Sequence, residues 1–156
     1  MDTENSKPVA PKIKYKSFTY RTQLKRVENR TGTLDSDGKV SIRFSSPPEF
    51  KGEAGVWTPE DLFVSAVNTC TMTTFVAIAE REKIPIVSYS STAEGLLEFV
   101  DGKYRITRII VRPSVTVGSA DTISQTRELF KKTHENCIIT NSIHTEVVIE
   151  PEVGAH

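Results

Sequence analysis

Cysteine is scarce in this sequence, which contains only Cys70 and Cys137 among its 156 residues. Two thiols in a reducing compartment rarely form a permanent disulfide, so a disulfide-stapled scaffold is not expected. A metal site is not indicated either, because His134 and Cys137 are the only pair with ligand-like spacing and no second pair completes a set. The two thiols are therefore either inert groups packed as small hydrophobes or chemically active.

Net charge is also missing, since 20 basic and 20 acidic residues balance to a formal charge of zero. This balance gives no electrostatic reason to expect nucleic acid or an anionic membrane as a partner. No apolar run approaches the roughly 18 residues of a membrane span, and the N-terminal residues do not read as a signal peptide. We therefore expect a cytoplasmic protein. The composition, 37% hydrophobic and 26% charged, is typical of a globular domain.

The chain is predicted to be one domain over residues 13–156, after a flexible tail over residues 1–12. Two Asp-Gly pairs, at residues 37–38 and 101–102, are typical of hairpin turns between strands. Prolines and glycines predict a loop at 45–55. We predict strands at 13–27, 32–34, 39–44, 86–100, 103–117 and 143–149, and helices at 58–83 and 121–135. This order predicts an α+β fold with two helices packed on antiparallel sheet, and Pro113 indicates an edge position or a bulge in its strand.

The helix predicted over residues 58–83 is the longest element of the chain and carries Cys70 near its middle. Thr58 and Pro59 are typical of a helix start, and Asp61 completes a weak capping box. Two adjacent apolar stripes indicate a helix buried around most of its circumference. Four threonines surround Cys70. Because β-branched residues are poor helix formers, helix propensity does not explain their presence, and we expect another requirement at this stretch. Trp57, just before the helix, is either a packing residue or the wall of a substrate pocket.

Two motifs carry a resemblance to a known family. The first, PEDLF at 59–63 with NTCTMTTF at 68–75, is followed by the second, HENCIITNSI at 134–143. Together they resemble the OsmC/Ohr family, the osmotically inducible and organic hydroperoxide resistance proteins, from about residue 15 onward. The stretch around Cys70 is closer to the OsmC-like branch, and Ile138 follows Cys137 where many members have proline. The resemblance implies an OsmC-like fold that forms an intertwined homodimer.

The resemblance also implies a two-cysteine peroxidase that needs neither metal nor flavin and has no other cofactor. Cys70 matches the peroxidatic cysteine and Cys137 the resolving cysteine, while Glu60 matches the family's glutamate. Arg30 is the best match for the family's arginine, with Arg26 as the alternative. The implied substrates are organic hydroperoxides and, more weakly, hydrogen peroxide, with a lipoyl- or thioredoxin-type dithiol as reductant. The alternative is a non-catalytic redox-sensing or binding protein with the same two cysteines.

One geometric difficulty accompanies these assignments. Ten residues along a straight helix span about 15 Å, so Glu60 and Cys70 of one helix cannot easily touch one guanidinium. Either the helix begins later than residue 58, or Glu60 serves the site of a partner subunit. We also expect an apolar pocket near Cys70, and its candidate wall residues are Phe63, Val67, Met72 and Phe75.

Overall fold

A computed structural model describes residues 15–156, and the tail predicted over residues 1–12 lies outside the described residues. The described chain is an α+β fold, as the sequence predicts, with two α-helices and two separate sheets. The elements in chain order are β1 (Gln23–Glu28), β2 (Thr31–Asp35), β3 (Ile42–Ser45), α1 (Pro59–Arg81), β4 (Ile86–Val100), β5 (Lys103–Val117), α2 (Ile123–Asn136), β6 (Glu146–Ile149) and β7 (Glu152–Ala155).

The N-terminal sheet contains β1, β2 and β3 in antiparallel order. The hairpin between β2 and β3 is confirmed, and Gly38 in its turn has a φ of 72°, which glycine adopts without strain. The long strand predicted over 13–27 is wrong in extent, because regular pairing begins only at Gln23. Alternation of apolar and polar residues continues upstream, but residues 15–22 have no partner strand within the described chain.

The second sheet is built around β5. The β4–β5 hairpin has the predicted bounds at both strands and pairs antiparallel along its length. On its other side, β5 pairs in parallel first with β6 and then with β7, a strand that the sequence patterns did not reveal. The sheet is therefore mixed, and α2 provides the crossover that a parallel β5–β6 pairing requires.

Pro113 does not lie in an edge strand, because β5 is the central strand of its sheet. The missing N–H of proline is tolerated for a different reason. Along the side of β5 that faces the C-terminal strands, pairing with β6 ends at Val111 and pairing with β7 begins at Ser114. Pro113 lies in the interval between these two ladders, where the parallel ladders are interrupted.

Helix α1 begins where the sequence indicates. Thr58 Oγ1 accepts a hydrogen bond from the Asp61 amide at 3.1 Å, and Asp61 Oδ2 accepts one from the Thr58 amide at 2.9 Å. This complete capping box fixes the first turn at Pro59. A later start of the helix is therefore excluded as the way to bring Glu60 near Cys70.

The packing of α1 on the second sheet divides the core into two clusters. One surrounds Phe75, which stacks on Phe130 of α2 with ring centroids 4.2 Å apart. The other contains Val67 and residues of β5 and β6. Between helix and sheet, Gly95 permits a close approach, because a Cβ there would lie 2.5 Å from Val64 Cγ2. The helix therefore lies directly against the β4 backbone at this point.

The prediction that α1 is buried around most of its circumference is wrong. Within residues 15–156, one face of α1 is buried, formed by Val67, Thr71, Phe75, Ile78 and Ala79. Contrary to the expectation that no stretch is apolar enough, an 18-residue window of α1 has a mean hydropathy of 1.6, which by length and composition alone is enough to span a membrane, and 28% of that window is buried. Because α1 is apolar on all sides but is covered on one side, apolar surface remains exposed on its other faces.

Candidate active site

Cys70 lies in the middle of α1, at the boundary between its buried and exposed faces, and its side chain is partly accessible. The nearest hydroxyl is that of Thr74, one turn later, whose Oγ1 lies 3.8 Å from Cys70 Sγ. The other threonines do not face the sulfur. The hydroxyls of Thr69 and Thr71 donate to carbonyl oxygens four residues earlier, at Ser65 and Val67, each at 2.8 Å. These threonines satisfy their own polar groups on the helix, and only Thr74 belongs to the site.

Cys137 follows the last residue of α2 and is buried, with 1% of its surface exposed. Its backbone is extended, with φ −69° and ψ 113°, which ends the helix and turns the chain back toward α1. The chain then makes a tight turn in which the Asn141 amide donates to the Cys137 carbonyl at 3.0 Å. The fold thus brings together two cysteines that are 67 positions apart in sequence, and both are free thiols.

The pKa values of the two thiols are shifted in opposite directions. Burial raises the pKa of Cys70, but hydrogen bonds from Cys137, the Ile139 amide, the Thr74 hydroxyl and the Ile138 amide outweigh it, and the net pKa lies below the ordinary thiol value. Burial also raises the pKa of Cys137, and its hydrogen bond to Cys70 raises it further, against the opposing effect of Thr140.

The two shifts order the thiols by acidity. Cys70 loses its proton more readily than Cys137, whose thiol hydrogen bonds to it. Because the thiolate is the nucleophilic form of cysteine, the partly accessible Cys70 is the candidate nucleophile and the buried Cys137 is the candidate second thiol. Within residues 15–156, the groups that lower the Cys70 pKa are all neutral hydrogen-bond donors.

Glu60 is the second residue of α1, and the capped, uninterrupted helix separates it from Cys70 by about 15 Å of rise. Its Oε2 is buried and has no hydrogen-bond partner among the described residues. It lines a cavity of about 270 Å³ between the start of α1 and the β4–β5 hairpin, together with Trp57 and Asn68. Trp57 is 50% exposed at this cavity, so it lines a pocket more than it fills the core. An unpaired buried carboxylate oxygen is costly, which suggests that a donor is missing.

Neither candidate arginine contacts Cys70 within this chain. Arg30 lies between β1 and β2 and donates a hydrogen bond from Nη1 to the carbonyl of Phe50. Arg26, in β1, donates from Nε to the Asn29 carbonyl at 3.0 Å. Both side chains are exposed, and the choice between them stays a prediction. One chain therefore brings Cys70 and Cys137 together, but does not bring Arg30 or Glu60 to them.

The expected pocket wall is also corrected in part. Val67 and Phe75 are completely buried in the two core clusters, so they cannot line an accessible pocket. Met72 is 38% exposed, and Phe63 lines a separate cavity beside Tyr104. Sequence reasoning missed Thr74 and the two amides that follow Cys137. The position of Thr74, four residues after Cys70 and so on the same helix face, was the available signal for the first.

The fold and the thiol pair define a class of small α+β proteins in which a cysteine on a long helix lies near a second cysteine. The sequence profile of OsmC-like proteins matches residues 52–152, which include both cysteines and both helices. The chain belongs to the OsmC family.

Relatives of this chain support the same family. The uncharacterized protein YmaD of Bacillus subtilis is 28% identical over 129 residues, which cover 81% of this chain and 85% of that protein. An OsmC-like protein of unknown function from Vibrio cholerae is 28% identical in structure-based comparison, with a TM-score of 0.80, covering 87% of this chain and all of that one. An organic hydroperoxide resistance protein from Legionella pneumophila shares the fold at 23% identity, with a TM-score of 0.72, covering 90% and 99% of the two chains.

Proposed function

We propose that this protein is a thiol peroxidase that reduces organic hydroperoxides and, more weakly, hydrogen peroxide. The observation that carries the proposal is the asymmetric thiol pair: a partly accessible Cys70 with a lowered pKa, hydrogen bonded to a buried Cys137 with a raised pKa. Peroxide reduction needs this arrangement, because one thiol attacks the peroxide as a thiolate and the second thiol must stay unreacted until the sulfenic acid has formed. Membership of the OsmC family supports it, as does the shared fold of an organic hydroperoxide resistance protein.

The proposed reaction proceeds in two steps. The Cys70 thiolate attacks one peroxide oxygen and the O–O bond breaks, so sulfur loses two electrons and becomes a sulfenic acid. The other oxygen leaves with the electron pair and takes a proton to form an alcohol. Cys137 then attacks the Cys70 sulfur, a disulfide forms, and the hydroxide that leaves combines with the Cys137 proton as water. An external dithiol, of lipoyl or thioredoxin type, restores both thiols by exchange.

The hydrogen bond between the thiols supports the second step. Because Cys137 already donates to Cys70, the resolving sulfur is adjacent to the sulfur it must attack. Fast resolution protects the sulfenic acid from further oxidation to the irreversible sulfinic form.

The thiol pair gives a direct test by counting free thiols. Addition of one equivalent of cumene hydroperoxide per chain to the reduced protein should remove two free thiols, since one peroxide yields one disulfide. When a dithiol is present, repeated additions of cumene hydroperoxide should be reduced over many turnovers. Two thiols that stay reactive toward a thiol reagent after peroxide treatment would contradict the proposal, and loss of thiols without turnover would favour a sensor.

We further propose that the working form is a homodimer in which Arg30 bridges Cys70 of one subunit and Glu60 of the other. Two observations support it. The Glu60 carboxylate has a buried oxygen without a donor, and Arg30 is exposed. An arginine offers the forked donors that fit both a carboxylate and a developing oxyanion. Because Glu60 and Cys70 of one chain are about 15 Å apart along α1, one guanidinium can contact both groups only if they come from different chains.

Exposed apolar surface supports the same assembly. All six residues of β1 are exposed, including Leu24 at 68%. Leu24 pairs with Leu34, and Leu34 pairs with Ile42, so these residues share one apolar face of the N-terminal sheet. At the tip of the β4–β5 hairpin, Phe99 is 64% exposed. Such extended apolar surface is typical of an obligate interface.

Sedimentation measurements test the dimer. We expect the wild-type protein to sediment as a dimer at micromolar concentration. The Leu24→Glu variant should shift it toward monomer and lower turnover, because a charge would be buried against the partner. Val40→Glu is the matched control, since Val40 is 89% exposed in the turn between β2 and β3. A fully active wild-type monomer would contradict the proposal.

A further inference from the structure

A second cavity lies beside the start of α1, away from the thiol pair. It has a volume of about 680 Å³ and lies between α1, β5 and the residues that lead into β6. The described residues that line it do not include either cysteine. Phe63 lines it from α1 and precedes Cys70 by two turns of the helix, which is about 10 Å along the axis. Its volume falls in the range of sites for small organic ligands, roughly 300–1,000 Å³.

The charged side chains at this cavity are all basic. Lys103, Arg105 and His144 line it, whereas no Asp or Glu of residues 15–156 does. Lysine and arginine are charged at neutral pH, and the imidazole of a histidine gains a charge on protonation. Because the chain as a whole has a formal charge of zero, this positive charge is a local feature. The cavity therefore favours an anion.

Nearby carboxylates neutralise these cations only in part. Asp101 Oδ2 lies 3.8 Å from Arg105 Nη2, and both side chains are more than half exposed, so this ion pair contributes little. Glu98 lies opposite Arg105 in the β4–β5 ladder, but its Oε2 accepts a hydrogen bond from the Thr107 hydroxyl. Lys103 forms no ion pair with any residue of the described chain. The charge of Lys103 and most of that of Arg105 therefore remain available to a ligand.

The neighbouring cavity at Glu60 has the opposite character, although Ile106 lines both. Its charged lining residues are Glu60 and Asp61, and no lysine, arginine or histidine among residues 15–156 lines it. Two adjoining cavities of opposite charge select different ligands. The basic character of the larger cavity is thus not a general property of this part of the surface.

The larger cavity also has an apolar wall. Four residues with aliphatic or aromatic side chains form this wall: Phe63, Tyr104, Ile106 and Ile143. All but Tyr104 pack against the buried cluster that contains Val67. The Tyr104 ring makes edge contacts with the rings of Phe50 and Phe99, at centroid distances of 5.7 and 5.1 Å. Because packing already holds these side chains, little conformational entropy is lost when a ligand contacts them.

We propose that this cavity is a binding site for an organic anion with a compact apolar body, such as an aryl carboxylate or an aryl phosphate. The anionic group pairs with the exposed Lys103 and Arg105, since both types of side chain bind carboxylates and phosphates. The apolar body packs against Phe63 and Tyr104. This site goes beyond the proposed function, because the ligand is bound without reaction and neither cysteine takes part.

Calorimetric titration of the reduced full-length protein, in low-salt buffer and without peroxide, tests the site. The probes share one apolar body and differ in charge: 2-naphthoate, 2-naphthyl phosphate, neutral 2-naphthol and cationic 2-naphthylmethylamine. We expect at least one of the anions to bind, and the neutral and cationic probes to bind roughly 10-fold more weakly or not at all, because only an anion gains from the basic side chains. The stronger anion identifies the preferred acidic group. Equal binding of 2-naphthol, or no binding of either anion, would overturn the proposal.

A double variant locates the binding. Lys103→Gln combined with Arg105→Gln removes two charges at exposed positions and should weaken binding of the preferred anion by roughly 5- to 30-fold. Lys39→Gln is the matched control and should bind like the wild type, because Lys39 lies in the turn between β2 and β3, where it donates to the Ser36 hydroxyl. Unchanged binding in the double variant, or equal weakening in the control, would contradict the assignment. Since no step uses peroxide, this outcome is independent of whether the thiols reduce peroxides.

Discussion

Replacement of Cys70 by serine should lower peroxide turnover by about 10³-fold or more, because a serine hydroxyl is not ionised at neutral pH and cannot replace a thiolate nucleophile. Cys70 is the member of the pair with the lowered pKa and the accessible side chain. Turnover is measured as consumption of cumene hydroperoxide with excess dithiol, and no sulfenic acid should be captured by dimedone in this variant.

The Cys137→Ser variant should behave differently from Cys70→Ser. Its Cys70 still attacks peroxide, so dimedone should capture one sulfenic acid per chain. Without a resolving thiol, excess peroxide should oxidise Cys70 to the sulfinic acid, which mass spectrometry detects. Thr69→Ser is the matched control, because Thr69 precedes Cys70 but its hydroxyl is bonded to the Ser65 carbonyl. Equal loss of the first oxidation step in both cysteine variants would contradict the assigned roles.

Replacement of Phe75 by alanine should lower the free energy of unfolding by about 3–5 kcal/mol, which is the largest effect on stability that we expect. Phe75 is completely buried. It stacks on Phe130 at 4.2 Å and packs against Tyr89 at 5.7 Å, so it joins both helices to the second sheet. Its removal leaves a cavity that this close packing cannot collapse to fill.

Urea unfolding of the reduced protein measures this change, at one fixed protein concentration because association also stabilises the fold. Phe18→Ala is the control with the same substitution at an exposed site, since Phe18 is 69% exposed, and it should change the free energy by no more than about 0.5 kcal/mol. Similar effects of the two substitutions would show that the cluster around Phe75 is not the centre of the core.

Local patterns predicted a large part of this fold, because local interactions decide those parts. The Thr58–Asp61 capping box and the Asp-Gly turns act over a few residues, and the helix start and both hairpins follow from them. The extent of β1 and the existence of β7 did not follow, because a strand exists only where a partner strand is present. Pro113 lies in a central strand for the same reason, since a gap between two partners is not visible in the sequence around it.

The candidate site, like the fold, could be predicted only in part from the sequence. The sequence by itself determined that Cys70 is carried by a long helix and that Cys137 follows a second helix. Only the tertiary structure excluded a later start of α1, brought the two thiols together and placed Thr74 beside Cys70, so that the pKa of Cys70 is lowered and that of Cys137 is raised. The physical reason is distance: helix geometry fixes separations along one element, whereas contacts between residues 67 positions apart depend on how α2 packs against α1.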